Sequence, residues 1–182
     1  MFDLAKNDPE LKALMPSPDL AKQNLAALPY HEAFEKIFAT YGSRPAFGTR
    51  DYEVKRDPVT GRAERVYLPH FTTVSFKQVS DQVKQLAATL RRQKRIAQDD
   101  FAVCLGFNSL EYATIDLALF YEQAVPVPVQ STLTDADLRE VFENTAPVAV
   151  FATISDIVLA AKLAEAHPSV RTVVAFDYDK RI

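Results

Sequence analysis

The sequence predicts an α/β fold with a partly parallel sheet, flanking helices and a small antiparallel hairpin region. Two observations support this prediction. From residue 101 onward, short apolar segments alternate with helical segments of roughly 10–15 residues, a pattern typical of parallel strands joined by right-handed crossovers. Between residues 45 and 76, short extended segments surround a turn sequence, which indicates a hairpin.

The run over residues 101–130 is the most informative part of the chain. Phe101–Gly106 is predicted to be a buried strand, and Val125–Val129 a strand with few ladder partners because it contains two prolines. Between them, a helix is expected to begin at Asn108. The residues placed for a hydrophobic staple around this cap are Phe107 and Tyr112.

The same alternation continues to the last strand. The predicted elements are, in chain order, a helix capped by Thr134, a strand over Pro147–Phe151, a helix over Ser155–Ala166 and a strand over Val170–Phe176. Because no helix follows this last strand, we expect the chain to be interrupted within a larger domain.

The hairpin region precedes this alternation. Asp57–Gly61 fits a hairpin turn, since proline presets φ and glycine accepts a positive φ. The predicted strand pieces around it are Ala46–Gly48, Tyr52–Val54, Arg65–Leu68 and Phe71–Phe76.

A long helix follows the hairpin. Ser75 and Gln78 have the spacing of a capping box. The apolar stripe of this helix consists of Val79, Val83, Leu86, Ala87 and Leu90. The cationic cluster Arg91–Arg95 could form a nucleotide or nucleic-acid patch, but we interpret it as a solvated helix end that complements the macrodipole.

The chain is expected to divide into an N-terminal helical arm, residues 1–28, and an α/β region, residues 29–182. The arm has scattered leucines and two prolines, Pro16 and Pro18, so it is predicted to be short helical pieces or partly disordered. An amphipathic helix over His31–Tyr41, closed by Gly42, is predicted to begin the α/β region.

Composition excludes several classes of protein. The 182 residues are 48% hydrophobic and 25% charged with a net charge of −3, so no basic field indicates nucleic acid or an anionic membrane as a partner. No apolar run is long enough to span a bilayer, and the N-terminus does not resemble a secretory signal, so a cytoplasmic location is expected. The single cysteine, Cys104, is expected to be a buried, reduced thiol.

Glycine usage argues against a phosphate-binding loop in this segment. The four glycines are Gly42, Gly48, Gly61 and Gly106, and no two are close neighbours. A loop that wraps phosphates with backbone N–H groups normally needs several glycines together.

Ligands of open α/β sheets lie beyond the carboxyl ends of the strands. The segments expected there are Gly106–Ser109, Gln130–Thr132 and Thr153–Ser155. Asn108 or Ser109 could contact an anion at a helix N-terminus, but we interpret Asn108 as an N-cap.

No set of residues predicts a catalytic centre or metal site. His31, His70 and His167 lack partners at ligand spacing, and no Gly-x-Ser-x-Gly elbow is present. Asp116 interrupts an apolar helix and is interpreted as a structural acid rather than a catalytic one. Asp99 and Asp100 precede a strand, which argues against the phospho-acceptor pocket of a receiver domain.

Several segments of the sequence resemble a known family. Val103–Leu119 followed by Ala124–Ser131 is similar to the N-terminal part of the adenylation domain of carboxylic acid reductases, within the wider superfamily of acyl-CoA synthetases and peptide-synthetase adenylation domains. Upstream segments fall in the family's order: Tyr41–Arg50, Asp57–Arg62, Leu68–Phe71 and Thr73–Phe76.

Two loops depart from the family pattern. Glu122–Ala124 stands where relatives have Leu-Gly-Ala, and Ala97–Asp100 where they have Pro-Gly-Asp, so each lacks a turn glycine.

The resemblance implies a parent that uses ATP and Mg²⁺ to convert a small-molecule carboxylic acid to an acyl-adenylate. A phosphopantetheine thiol then captures the acyl group, and NADPH reduces the thioester to an aldehyde. The family's phosphate loop and catalytic lysine match no position of this sequence. We therefore assign no catalytic, cofactor-binding or metal-binding residue, and we expect the segment to be inactive without the remainder of the domain.

Two other functions remain open. An acyl-CoA or aryl-CoA ligase would lack the downstream carrier and reductase domains. A non-catalytic module that docks on a partner through residues 1–28 would be a stable, soluble monomer, whereas a fragment with an uncovered sheet would aggregate.

Overall fold

The computed structural model describes residues 7–130 and 132–181. The strands are β1 (Pro45–Arg56), β2 (Ala63–Ser75), β3 (Phe101–Leu105), β4 (Val125–Val129), β5 (Ala149–Thr153) and β6 (Thr172–Phe176). The helices are α1 (Pro9–Leu14), α2 (Pro18–Ala21), α3 (Tyr30–Tyr41), α4 (Phe76–Gln93), α5 (Leu110–Tyr121), α6 (Asp135–Thr145) and α7 (Ile157–Ala166). Short 3₁₀ turns occur at Leu25–Ala27 and Ile154–Asp156.

The predicted α/β class is confirmed. Strands β3 to β6 form a parallel sheet in the order β4-β3-β5-β6, and β1 and β2 form a separate antiparallel hairpin. Strand β4 pairs with β3 alone, as its two prolines predict. The central strands β3 and β5 run without polar alternation because helices cover both of their faces.

Each face of the sheet has its own core. On one face, Ala102, Cys104 and Phe151 pack with the apolar stripe of α4 and with α5. On the other face, Val103, Val150 and their neighbours pack against α6 and α7. Because consecutive side chains of a strand point to opposite faces, this division follows directly from the positions along β3 and β5.

The hairpin consists of two long strands rather than the four short pieces that the sequence predicts. Arg50 pairs with Phe71 and Tyr52 pairs with Tyr67, so Leu68–His70 stand opposite a single residue, Asp51. This bulge contains Pro69, a residue that has no N–H and is tolerated at such a site, so the strand continues through it. The predicted turn is confirmed, with Asp57 Oδ1 accepting hydrogen bonds from the N–H groups of Val59 and Thr60 at 2.9 and 2.6 Å and with Gly61 at φ +70°.

Several predicted boundaries were wrong by about two residues. Strand β5 begins at Ala149 and β6 at Thr172, and α7 begins at Ile157 after a 3₁₀ turn. The capping box at Ser75 and Gln78 is confirmed, as is the cap of α6 by Thr134. None of the helices that the structure describes is long and apolar enough to cross a bilayer.

The described part of the arm, residues 7–28, contacts the α/β region. The N–H of Ser17 donates to Tyr41 Oη at 2.8 Å, Arg44 Nη1 donates to Met15 O at 3.0 Å, and Leu20 is buried. The short helices α1 and α2 agree with the predicted helical pieces, whereas residues 1–6 lie outside the described residues. The division at residue 28 stays a prediction.

The two loops that lack a turn glycine lie side by side at the amino ends of β3 and β4. Asp99 and Gln123 both have the left-handed backbone conformation, with φ of +64° and +57°. The N–H of Asp99 donates to Gln123 O at 2.9 Å. The backbone therefore takes the conformation that favours glycine although neither residue is glycine.

The cationic cluster belongs to the same end of the sheet. Arg91, in the last turn of α4, pairs with Glu122, whose side chain is largely buried, at 2.9 Å. Arg95 donates to Thr172 Oγ1 at 3.2 Å. Both contacts tie the end of α4 to neighbouring loops and strands, in agreement with the helix-end interpretation.

Candidate functional site: a cleft at the carboxyl ends of the strands

A cleft of about 760 Å³ separates the hairpin from the carboxyl ends of β3, β5 and β6. It lies where open α/β sheets bind ligands. Its hairpin wall consists of Thr49, Arg50, Tyr52, Arg65 and Tyr67. Its sheet wall consists of Phe107, Asn108, Ser109, Glu111, Thr153, Ser155 and the residues from Phe176 to Arg181.

The turn after β3 depends on Gly106. This residue has φ +152°, and a Cβ placed on it would lie 2.7 Å from Thr153 Cγ2 and 3.2 Å from Phe176 Cζ. Only glycine fits such a close approach between the ends of β3, β5 and β6. Gly106 does not line the cleft itself, but the three residues that follow it do.

Ser109, and not Asn108, is the N-cap of α5. The Oγ of Ser109 accepts a hydrogen bond from the N–H of Tyr112 at 3.1 Å, and the helix begins at Leu110. The predicted cap at Asn108 was therefore wrong by one residue. The predicted hydrophobic staple of Phe107 and Tyr112 was wrong too, because it assumed a cap at Asn108. Four residues, Gly106–Ser109, separate β3 from α5, and Phe107 among them is exposed on the cleft wall.

Polar groups also follow β5. Thr153 Oγ1 donates to Asp156 Oδ2 at 2.7 Å and lies 2.9 Å from Ser155 Oγ. These contacts hold the 3₁₀ turn that leads into α7. Of the three predicted segments, Gly106–Ser109 and Thr153–Ser155 meet at the cleft, whereas Gln130 and Thr132 do not line it and Ser131 lies outside the described residues.

The post-β6 segment, residues 177–181, closes one side of the cleft and is attached to the hairpin. Tyr52 Oη donates to Asp179 Oδ2 at 2.6 Å, and Arg65 Nη2 donates to Asp177 O at 3.2 Å. Hydrogen bonds from Arg181 and then from Tyr52 lower the pKa of the Asp179 carboxyl well below its usual range. Local patterns could not predict these contacts, because the partners are more than a hundred residues apart in the sequence.

The other titratable residues singled out in the sequence lie outside the cleft lining. Burial, followed by the Asp116 charge, raises the pKa of the Cys104 thiol to about 12, so the buried thiol is protonated at neutral pH. Burial also raises the pKa of Asp116. Neither residue lines the cleft, which agrees with structural roles for both.

The histidines are dispersed. His31 packs against Tyr121, His70 Nε2 lies 3.0 Å from Asp51 Oδ2, and His167 packs against the ring of Phe142. Within residues 7–130 and 132–181, no group of three or more His, Cys, Asp or Glu side chains could hold a metal ion.

Comparison with known proteins decides the family. The model of the AMP-binding enzyme family matches residues 55–181, more than half of the chain. The chain belongs to the AMP-binding enzyme family.

The relatives of this chain agree with the resemblance found in the sequence. It is 32% identical over 181 residues to the carboxylic acid reductase of Mycobacterium marinum, a match that covers 99% of this chain and 15% of the relative. Its structure matches the A domain of the carboxylic acid reductase from Segniliparus rugosus, solved in complex with AMP and a co-purified carboxylic acid. The TM-score is 0.88 at 31% identity, over 99% of this chain and 29% of that chain.

A more distant solved structure shares only the fold. An anthranilate CoA ligase in complex with anthranoyl-AMP matches with a TM-score of 0.63 at 13% identity, over 85% of this chain and 27% of that chain. The present chain spans about 15% of the length of the curated relatives that it matches. The resemblance of the sequence to the adenylation domains of carboxylic acid reductases is thus confirmed.

Proposed function

We propose that this chain is the N-terminal portion of the adenylation domain of a carboxylic acid reductase, an enzyme that activates a carboxylic acid as its acyl-adenylate and reduces it to an aldehyde. One observation supports this most strongly: the chain matches a reductase A domain over 99% of its residues at 31% identity and a TM-score of 0.88. The CoA ligase structure matches at 13% identity, so the reductase is the better supported parent.

The chemistry of the proposed parent is activation of a carboxylate. A carboxylate oxygen is a poor leaving group, whereas AMP is a good one, so ATP supplies the driving force when it is bound with Mg²⁺. The described residues offer no cluster for a metal ion, and their positive-φ glycines, Gly61 and Gly106, are far apart in the sequence. They do not form a phosphate-binding loop, and we derive no step of ATP chemistry from this segment.

The segment contributes scaffold and cleft walls to the proposed parent. The parallel sheet supports the turns after β3 and β5, and the hairpin holds the post-β6 segment opposite them. We propose that adenylation requires the remainder of the domain, and that phosphopantetheine and NADPH act in further parts of the parent. The cytoplasmic location expected from the sequence stays a prediction.

A hybrid enzyme tests the proposal. In it, this chain replaces the matching N-terminal segment of the Segniliparus rugosus reductase. We expect the hybrid to release pyrophosphate from ATP when it is supplied with carboxylic acids, and to form aldehydes with NADPH. The same assays with this chain alone are expected to give neither product. A folded hybrid that releases no pyrophosphate with any acid in a broad panel would contradict the adenylation proposal.

The gene distinguishes the reductase from the remaining alternatives. Reading the DNA downstream of codon 182 should show a Ser/Thr/Gly-rich loop ending in Pro-Lys, followed by carrier and reductase segments. The loop without those segments would favour a CoA ligase. Unrelated sequence, together with a stable soluble monomer, would favour the docking module.

A further inference from the structure

Tyr52 occupies an unusual position in the hairpin wall of the cleft. Two guanidinium groups lie over its ring, that of Arg65 at 4.9 Å and that of Arg181 at 5.2 Å from the ring centroid. Cations over an aromatic face are attracted by its quadrupole. Tyr52 therefore joins a residue of its own hairpin to a residue of the post-β6 segment.

The hydroxyl of Tyr52 adds a second connection. It donates to Asp179 Oδ2 at 2.6 Å and accepts a hydrogen bond from Arg181 Nη2 at 3.1 Å. Arg181 also donates from Nε to Asp179 Oδ1 at 2.9 Å and from Nη2 to Asp179 Oδ2 at 2.7 Å. The Asp179 side chain is 11% exposed and that of Arg181 56%, so the carboxylate is largely covered whereas the guanidinium faces solvent.

Asp177 fixes the other end of the segment. Its carbonyl oxygen accepts from Arg65 Nη2 at 3.2 Å, and its Oδ1 accepts from the N–H of Ile154 at 2.8 Å. Asp177 has φ +58°, a left-handed conformation that Asp adopts more readily than most other residues. The hairpin and the turn after β5 thus hold the same short segment from two sides.

We propose that Tyr52, Arg65, Asp177, Asp179 and Arg181 form a latch that sets the width of the cleft, with Tyr52 as its central positioning residue. Arg65 and Tyr52 contribute from the hairpin, and the three other residues from the post-β6 segment. Without the Tyr52 hydroxyl, Asp179 loses its hydrogen bond to the hairpin. The post-β6 segment is then held to the hairpin only by the Arg65–Asp177 hydrogen bond and by the contact of Arg181 with the ring. The role of the latch in ligand binding rests on the proposed function, whereas its structural role does not.

Hydrogen exchange on the 182-residue chain tests the latch without any assay of activity. Tyr52→Phe removes the hydroxyl and keeps the ring. We expect the amides of Ile154 and Arg181 to exchange about tenfold faster, the change that corresponds to the loss of one charge-assisted hydrogen bond. The matched control is Tyr67→Phe, because Tyr67 pairs directly with Tyr52 in the hairpin and packs edge-on against its ring.

Unchanged exchange at both amides in Tyr52→Phe, or equal acceleration in Tyr67→Phe, would overturn the latch. Asp179→Ala provides an independent check, since it removes the acceptor on the other side of the same bond. It should accelerate exchange at Ile154 by about the same factor as Tyr52→Phe, and the double variant should add little further.

The hybrid reductase then reports on the cleft. Tyr52→Phe in the hybrid is expected to raise the KM for the carboxylic acid about fivefold while kcat changes less than about twofold. This is the result expected when a substitution weakens binding of the substrate and of the transition state equally. An inactive wild-type hybrid would contradict the proposed function and leave the exchange result to decide the latch. An active hybrid in which Tyr52→Phe leaves the KM for the carboxylic acid unchanged would refute the role of the latch in ligand binding.

Discussion

The parallel sheet and the hairpin are stabilised in different ways. In β3 and β5, the residues from Ala102 to Leu105 and from Ala149 to Ala152 are no more than 1% exposed, and both faces of the sheet are covered by helices. In the hairpin, Tyr67 and Phe71 are more than half exposed, and most positions of both strands face solvent. The sheet is thus a packed core, whereas the hairpin is a wall held in place by a few specific contacts.

This contrast indicates that the stability of the fold and the geometry of the cleft come from different regions. Apolar burial in the sheet supplies most of the free energy of folding, because stabilisation is roughly proportional to the apolar area removed from water. The hairpin buries little, and its contribution is to place Tyr52 and Arg65 across the cleft from the turns of the sheet. Substitutions in the two regions should therefore have effects of different size and kind.

The largest expected effect tests the contrast directly. Phe151→Ala removes a fully buried ring from the central strand β5, and we expect it to lower the free energy of unfolding by about 3–5 kcal/mol. Phe71→Ala on the hairpin, where the ring is 63% exposed, should cost less than about 1 kcal/mol. Urea unfolding followed by circular dichroism measures both. Equal losses would remove the distinction between core and wall.

The next effect concerns the turn that joins the core to the cleft. Gly106→Ala places a Cβ 2.7 Å from Thr153 Cγ2 at a backbone conformation unfavourable for alanine, and should cost about 2–3 kcal/mol. Thr153→Ser removes that methyl group and keeps the hydroxyl, so the double variant should recover part of the loss. Gly48→Ala is the control, since its nearest neighbour lies at 3.6 Å. If the double variant were no more stable than Gly106→Ala, the close approach to Thr153 would not be the cause.

A smaller effect of opposite sign is expected at the other end of the sheet. Gln123 has φ +57° at the position where the reductase family that the sequence resembles has glycine. Because glycine adopts this conformation without strain, Gln123→Gly should raise the free energy of unfolding by about 1 kcal/mol. Gln123→Ala keeps the backbone strain and should give no gain. Thermal unfolding of the two variants side by side decides the point, and a gain in both would show that the side chain, not the backbone, is responsible.

The smallest effect separates the two candidates for the cap of α5. Ser109→Ala removes the acceptor of the Tyr112 N–H and should cost about 1 kcal/mol. Asn108→Ala should cost less than about 0.5 kcal/mol, as for an ordinary surface substitution. The reverse order of stability in urea would restore Asn108 as the cap.

The same contrast explains how much could be predicted from the sequence. Buried strands and the stripe of α4 appear as local apolar patterns, so the sheet, its edge strand β4 and the core of α4 follow from the sequence. The cap of α5 was misplaced because Asn108 and Ser109 are adjacent and both favour N-cap positions. The contacts of Tyr52 and Arg65 with the post-β6 segment could not be predicted, because no periodicity links residues on separate elements so far apart in sequence.

Strand β4 has a consequence for how chains can associate. The N–H of Val125 donates to Asp100 O and Val129 O accepts from the N–H of Gly106, so the alternate residues Pro126 and Pro128 turn their backbone toward the free edge. Proline has no N–H, and this edge therefore offers an incoming strand acceptors without donors. Strand β6, at the opposite edge, contains no proline. Growth of the sheet, whether by a later part of the same polypeptide or by misassembly with another copy, is thereby directed to one side.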